Sequence, residues 1–250
     1  MGLEAVFPDF EALRARDFAG ITCPKPVVML AITPRTGSTH LCAALHAAGQ
    51  SVEPTEILSP RGPAAQERAR RGVEGFAAYL AALFADPDPA FIFKTTWHDL
   101  APLAPAVPHL FPRLRVVFIE RRNAIAQAVS LLRGEVLNIW HARPGQPHRR
   151  LTAAEAAAAF DLPRLRQIMR NIAAENRLWE DWFSCQGITP LRLRYEAFEA
   201  DINIALRAIA EAAGLPLRCD LPPGAGLEKL ADEASADWIL RVQKHEFNMS

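Results

Sequence analysis

Residues Pro26 to Ile32, PVVMLAI, form a short apolar run that is followed by the loop Thr33 to Thr39, TPRTGST. Because every residue of the run is apolar, it is typical of a strand that is covered on both faces. The Ala- and Leu-rich segment Leu41 to Ala48 comes next and stops at Gly49, as expected of a helix closed by a left-handed glycine. Residues 26 to 49 therefore predict a strand, a tight loop and a helix.

The same alternation recurs along the chain. Buried strands are predicted at Ala90 to Thr95 and Leu114 to Ile119, and a further strand at Leu191 to Tyr195. Helical patterns occupy residues 64–84, 123–132, 153–185 and 201–213. Strands that alternate with helices form a parallel sheet with helices on its faces. We expect one α/β domain over residues 1–250 with a P-loop-like central parallel sheet, its core at 26–245 and residues 1–24 as an N-terminal extension.

Composition excludes several classes of protein. Lys plus Arg number 28 and Asp plus Glu also number 28, so no net field draws the chain to nucleic acid or to an anionic membrane. The charges within Met1 to Cys23 argue against a secretory signal, and no run reaches the roughly 18 apolar residues of a membrane span. The four scattered cysteines predict buried free thiols in a reducing cytoplasm: Cys23, Cys42, Cys185 and Cys219.

The loop after the first strand has the composition of an anion site. The N–H groups and the dipole of the following helix favour a negative ligand. Arg35 adds a permanent charge, Gly37 lets the backbone approach closely, and Ser38 and Thr39 add hydroxyl donors. The second glycine and the lysine of a Walker A motif are absent, which disfavours a magnesium-dependent NTPase. An ordinary turn and helix cap is the alternative that the loop alone leaves open.

Several segments occur in the order found in one enzyme family. They are Thr33 to Leu41 (TPRTGSTHL), Val52 to Glu56 (VEPTE), Phe93 to Trp97 (FKTTW), Arg121 to Ser130, Trp179 to Phe183, Tyr195-Glu196 and Lys229 to Arg241. Together they resemble the trehalose 2-sulfotransferase family of bacterial sulfotransferases over roughly residues 26 to 245. The first segment resembles that family's 5′-phosphosulfate loop, and Arg121 to Ser130 resembles its 3′-phosphate segment.

This resemblance implies an enzyme that takes a sulfonate group from 3′-phosphoadenosine 5′-phosphosulfate (PAPS) without a metal. Such a transfer depends on positioning and on charge stabilisation. Arg35 is expected to stabilise the bridging oxygen as it leaves. The predicted donor-binding residues are Arg35, Thr36, Gly37, Ser38, Thr39, Arg121 and Ser130.

The acceptor hydroxyl must lose its proton to a nearby base. The resemblance places a catalytic glutamate at Glu56. The candidate residues for binding the acceptor, a small alcohol such as a carbohydrate or glycolipid precursor, are Glu53, Glu56, Lys94 and Trp97. Lys94 is alternatively expected to reach the sulfonate oxygens. His98 is an alternative base, because other sulfotransferases use a histidine after a comparable strand. Two departures from the family pattern, Ile57-Leu58 and Leu230, mean that the acceptor need not be trehalose.

Two other functions stay open at this point. A small-molecule kinase with a divergent phosphate loop would share the same strand, loop and helix. A non-catalytic nucleotide-binding relative would tolerate the substitutions at Ile57 and Leu230, although Arg35, Glu56 and Arg121 argue against it. A homodimer is expected from the family resemblance alone.

Overall fold

The computed structural model describes residues 2–140, 149–222 and 232–247. Within these residues one sheet holds four parallel strands: β1 (Val27–Ile32), β2 (Phe91–Thr96), β3 (Leu114–Glu120) and β4 (Leu191–Arg194). Their order in the sheet is β2-β1-β3-β4. All six residues of β1 are buried, as its apolar run predicts for a central strand. The prediction of an α/β fold with a central parallel sheet is confirmed.

Helices flank the sheet. They are α1 (Phe10–Arg14), α2 (Ser38–Ala47), α3 (Pro63–Arg71), α4 (Phe76–Phe84), α5 (Trp97–Leu100), α6 (Val107–Leu110), α7 (Ala124–Leu137), α8 (Ala153–Ala159), α9 (Leu162–Gln186), α10 (Tyr195–Phe198), α11 (Ile202–Ala213) and α12 (Glu233–Phe247), with 3-10 turns at Leu3–Ala5 and Ala104–Ala106. The strand, loop and helix predicted for residues 26–49 are present as β1, the loop and α2.

Two long helical patterns are each divided into two helices. The pattern at 64–84 breaks at Gly72, whose positive φ of 65° ends α3. The pattern at 153–185 breaks before α9, where the Asp161 side chain accepts a hydrogen bond from the Arg164 N–H and Pro163 occupies the first turn. Turn residues that lie within a continuous helical pattern of apolar residues therefore set the end of α3 and the start of α9.

The two faces of the sheet bury different sets of helices. In β1, Val27, Met29 and Ala31 belong to the core cluster that contains α4 and the C-terminal part of α9. Their neighbours Val28, Leu30 and Ile32 belong to the cluster that contains α2 and α11. A third cluster joins α7, α9 and α12 beside the sheet. The loop after β1 therefore passes between two packed layers.

The N-terminal segment contributes to the first of these layers. Phe7 and Phe10 have no exposed surface, and their rings contact Phe76 of α4 at centroid distances of 5.1 and 5.0 Å. Residues 3–18 thus supply aromatic packing against the helices that follow the phosphate loop.

The prediction about cysteines is right in part. All four thiols are free; Cys23 and Cys42 are buried, whereas Cys185 and Cys219 are exposed. Cys185 lies in the last turn of α9 and Cys219 in the segment after α11, and neither belongs to one of the three apolar clusters.

Candidate active site

The loop from Thr33 to Gly37 turns sharply between β1 and α2. Arg35 and Gly37 both adopt left-handed backbone conformations, with φ values of 68° and 78°. The Thr36 hydroxyl donates a 3.1 Å hydrogen bond to the Thr33 carbonyl and closes the turn. Ser38 begins α2 and is buried, so its N–H group lies at the base of the loop.

Side chains from three distant helices hold this loop in place. The buried Gln127 amide of α7 donates to the Thr33 hydroxyl at 3.1 Å and to the Pro34 carbonyl at 2.7 Å. The indole N–H of Trp179 in α9 donates to the Ile32 carbonyl at 3.1 Å. The Tyr195 ring of α10 lies directly against Gly37 and leaves no space there for a Cβ. The loop is therefore rigidly positioned before any ligand binds.

Three guanidinium groups converge beside the loop. Arg35 donates from Nε to the Ser130 hydroxyl at 2.9 Å and from Nη1 to the Trp140 carbonyl at 2.6 Å. Burial lowers the pKa of Arg35, and the neighbouring charges of Arg121 and Arg133 lower it further. Like charges that repel one another in a partly buried site are stabilised by an anion.

Arg121 connects the loop to Tyr195. Its Nη1 donates to the Arg35 carbonyl at 3.2 Å, and its guanidinium lies 4.5 Å from the centroid of the Tyr195 ring. Burial, with the hydrogen bond to Glu199, raises the pKa of Tyr195 to about 12, so the ring is a neutral platform at physiological pH. The Nε atom of Arg121 is buried and has no hydrogen-bond partner among the described residues. A buried, unpaired cationic donor fits a site for a phosphate oxygen.

The C-terminal helix α12 is anchored next to this cluster. Arg133, one turn beyond Ser130 in α7, donates to Asp232 Oδ2 at 2.6 Å and to the Ser235 hydroxyl at 2.5 Å. Asp232 and Ser235 also bond to each other around the first turn of α12. The Arg133–Asp232 ion pair therefore fixes α12 against the helix that carries Ser130.

A second group of polar residues lies where β2 ends. Lys94 is buried; its Nζ donates to the Thr39 hydroxyl at 3.0 Å and lies 3.3 Å from Glu56 Oε1. The Lys94 N–H also donates to the Thr55 carbonyl at 3.1 Å, which fixes the segment that carries Glu56. The structure thus brings Glu56, Lys94 and Thr39 together beside the first turn of α2. Glu53, three residues earlier, is half-buried.

Helix α5 carries the remaining predicted side chains. The Trp97 ring packs on Trp179 and Trp182 at centroid distances of 5.4 and 6.1 Å, within the aromatic layer under the sheet. His98 is exposed, and Asp99 lies near Glu56: burial raises the Asp99 pKa, and the charge of Glu56 raises it further. Trp97, predicted to bind the acceptor, is placed on the side of α5 that faces α9.

Glu175 was not singled out from the sequence, although it interrupts the apolar face of α9 between Ile172 and Trp179. Its Oε1 accepts the Trp97 N–H at 3.0 Å and so supports the start of α5. Burial raises the pKa of Glu175. The Trp97 N–H and His98 oppose this shift, because both favour the charged carboxylate.

Glu175→Gln is expected to stabilise the fold at neutral pH. A carboxyl whose pKa is raised in the folded state binds its proton more tightly there, so stability is lost as pH rises from its ordinary value near 4.5 through the raised value. The glutamine keeps the acceptor for Trp97 and does not titrate. In urea unfolding between about pH 4 and pH 8, the free energy of unfolding of the variant should increase relative to that of the wild type as pH rises. Parallel curves would contradict this account of Glu175.

The functional residues that sequence patterns missed are those that act across long separations. Gln127 lies within the quoted segment Arg121 to Ser130 without an assigned role, and Arg133 shares a helix face with Ser130 at a spacing of three residues. The contacts of Glu175 with the start of α5 and of Tyr195 with Gly37 depend on the tertiary fold. Among the described residues, no cluster of three His, Cys, Asp or Glu side chains is arranged to hold a metal ion. No helix in the described ranges is long and apolar enough to cross a membrane.

These features define an α/β protein with a buried, arginine-rich anion site on the loop between its first strand and first helix. A sequence model of the Stf0 sulphotransferase family matches residues 104–245, more than half of the chain. The chain therefore belongs to the Stf0 sulphotransferase family, a family of enzymes that transfer sulfate. The matched range includes Arg121 and Ser130 and begins after the phosphate loop and Glu56.

Individual relatives are more distant. Trehalose 2-sulfotransferases of Mycobacterium tuberculosis and Mycolicibacterium smegmatis are 25% and 26% identical over 127 and 129 residues. These alignments include 51% and 52% of this chain and 45% of each relative, so the chain spans about half the length of the curated relatives it matches.

Two solved structures are similar to the chain at low identity. A sulfotransferase from Alicyclobacillus acidocaldarius is 12% identical with a TM-score of 0.48, over 88% of this chain and 95% of that one. The sulfotransferase domain of the Synechococcus PCC 7002 olefin synthase is 17% identical with a TM-score of 0.47, over 88% and 78% of the two chains.

Proposed function

We propose that this protein transfers a sulfonate group from PAPS to the hydroxyl of a small acceptor alcohol. The observation that carries the proposal is the set of Arg35, Arg121 and Ser130 around one loop, with the buried Nε of Arg121 unpaired within the described residues. Membership of the Stf0 sulphotransferase family supports it. A cytoplasmic location and a homodimer are part of the proposal and come from the sequence and the family resemblance.

The donor is proposed to lie along the loop, with its 5′-phosphosulfate and its 3′-phosphate held by two different sets of residues. The loop N–H groups, the Ser38 and Thr39 hydroxyls and Arg35 would hold the 5′-phosphosulfate, because they surround the start of α2. Arg121 and Ser130 would hold the 3′-phosphate, with Tyr195 fixing the direction of the Arg121 side chain. This arrangement requires no metal ion, since fixed cations neutralise the anion.

In the transfer, the acceptor oxygen forms a bond to sulfur while the bond from sulfur to the bridging 5′-phosphate oxygen breaks. The electron pair stays on that oxygen, next to Arg35, and adenosine 3′,5′-bisphosphate is released. The proton of the acceptor hydroxyl goes to the Glu56 carboxylate and then to solvent. Lys94, which touches both Glu56 and Thr39, would hold the base against the donor site.

Calorimetric titration with adenosine 3′,5′-bisphosphate in EDTA tests the donor site, with ADP as the comparator ligand. We expect binding without metal, discrimination against ADP, and a loss of about 30- to 150-fold in Arg121→Ala, because a charge-assisted phosphate contact contributes about 2 to 3 kcal/mol. Ser130→Ala is expected to weaken binding by a smaller factor of about five to ten.

The matched control is Arg122→Ala, since Arg122 is an exposed arginine adjacent to Arg121. It should keep the affinity within about twofold. If Arg122→Ala loses binding while Arg121→Ala keeps it, the role given to Arg121 is wrong. Preference for ADP that requires Mg²⁺ would reject the sulfotransferase proposal in favour of a kinase.

A further inference from the structure

A cleft of about 370 Å³ opens between α7 and α9, next to the phosphate loop. Its volume is at the lower end of the range of small-ligand sites. The apolar part of its wall consists of Pro34, Leu131, Ile168, Ile172, Ala174 and Leu178. The polar part consists of His98, Glu135, Arg164, Asn171 and Glu175. Glu53 and Glu56 are not among these residues.

The cleft and the anion site share the carboxyl edge of the sheet. Pro34 follows β1 within the phosphate loop, and its carbonyl is fixed by Gln127. His98 follows β2 in the first turn of α5 and lines the cleft together with Glu175. Since open α/β sheets bind ligands at the carboxyl ends of their central strands, a molecule in this cleft would lie beside a donor on the loop.

Most polar groups of the wall are already paired with protein atoms. Arg164 donates to both oxygens of Glu135 at 2.7 and 3.2 Å. The Asn171 carbonyl oxygen accepts from the Gln167 amide at 2.7 Å, and Glu175 accepts the Trp97 N–H. The exposed His98 ring makes no hydrogen bond to the other described residues. The wall therefore combines apolar side chains with four exposed polar ones, of which Arg164 and Glu135 neutralise each other.

We propose that this cleft binds the apolar body of the acceptor, and that the acceptor is an alcohol with an alkyl or aromatic body whose hydroxyl extends past Pro34 to the donor and to Glu56. A disaccharide needs a hydrogen-bond partner for each hydroxyl that it buries, whereas six of the eleven residues in the wall are apolar. An apolar alcohol loses little on entering and removes apolar surface from water. This inference rests on the proposed sulfotransferase function.

The test compares two tryptophan substitutions in α9. Ala174 lines the cleft, whereas the adjacent Ala173 is also exposed and does not line it. Both positions are on the surface of the same helix, so both variants should fold. Binding of 4-phenylbutan-1-ol, measured by saturation-transfer NMR, is expected to weaken about tenfold or more in Ala174→Trp and by less than about twofold in Ala173→Trp.

Two further measurements separate this inference from the proposed function. Calorimetry should give the same affinity for adenosine 3′,5′-bisphosphate in all three proteins. With radiolabelled PAPS, kcat/KM for 4-phenylbutan-1-ol should exceed that for trehalose and should fall in Ala174→Trp alone.

Equal effects of the two tryptophans, or a preference for trehalose, would overturn the inference and leave the donor site intact. Absence of bisphosphate binding would instead reject the proposed function, and the acceptor role of the cleft with it, even if 4-phenylbutan-1-ol still bound there.

Discussion

Glu56→Gln is expected to lower kcat for sulfonate transfer by about 10²- to 10⁴-fold, the usual contribution of a general base. The glutamine keeps the shape of the side chain and an oxygen that can face Lys94, which lies 3.3 Å from the carboxylate. It lacks the basic oxygen that accepts the acceptor's proton. Transfer of radiolabelled sulfonate from PAPS to the best acceptor in a panel of sugars and simple alcohols measures the effect.

The affinity for adenosine 3′,5′-bisphosphate should change by less than about threefold in this variant, because Glu56 touches the donor site only through Lys94. Glu53→Gln is the matched control: it removes a neighbouring loop carboxylate and should affect KM more than kcat. An unchanged kcat in Glu56→Gln, together with a large loss in His98→Gln, would show that His98 is the base.

Gly37→Ala is expected to destabilise the fold by about 2 to 4 kcal/mol and to weaken binding of adenosine 3′,5′-bisphosphate by more than about tenfold. The φ of 78° disfavours any residue with a Cβ, at a cost of about 1 kcal/mol. A Cβ at this position would also lie 2.7 Å from Cε2 of Tyr195, so the loop or the ring must move. Movement of Tyr195 would displace Arg121, which stacks on it.

Gly214→Ala separates the effect of the positive φ from the effect of the contact with Tyr195. Gly214 has a similar φ of 65°, and a Cβ there would meet no atom within 4 Å. It should therefore lose only about 1 kcal/mol in urea unfolding and bind the bisphosphate normally. Equal losses of stability in the two variants would mean that contact with Tyr195 does not constrain the loop.

The strand, loop and helix at residues 26–49 could be predicted because each depends on neighbours in the chain. An apolar run of seven residues, a glycine in a turn and an Ala-rich segment are local patterns, and their spacing determines β1, the loop and α2. The same holds for β2, β3 and α7. The helical pattern of apolar residues continues on both sides of Asp161 and Pro163. The sequence therefore did not predict that residues 153–185 form two helices, α8 and α9.

The geometry of the candidate site depended on contacts that no local pattern encodes. Ser130 is 95 residues from Arg35, and Arg133 is 99 residues from Asp232. Whether such groups meet is decided by strand order and helix packing, which place α7 beside the loop and α12 beside α7.

The sequence by itself determined the class of fold and the residue types of a phosphate site. The tertiary structure alone decided that Tyr195 packs on Gly37, that Glu175 supports α5, and that a largely apolar cleft opens next to the loop. The physical reason is that hydrophobic period and turn chemistry act over a few residues, whereas burial, charge clustering and cavity shape arise only when distant segments pack together.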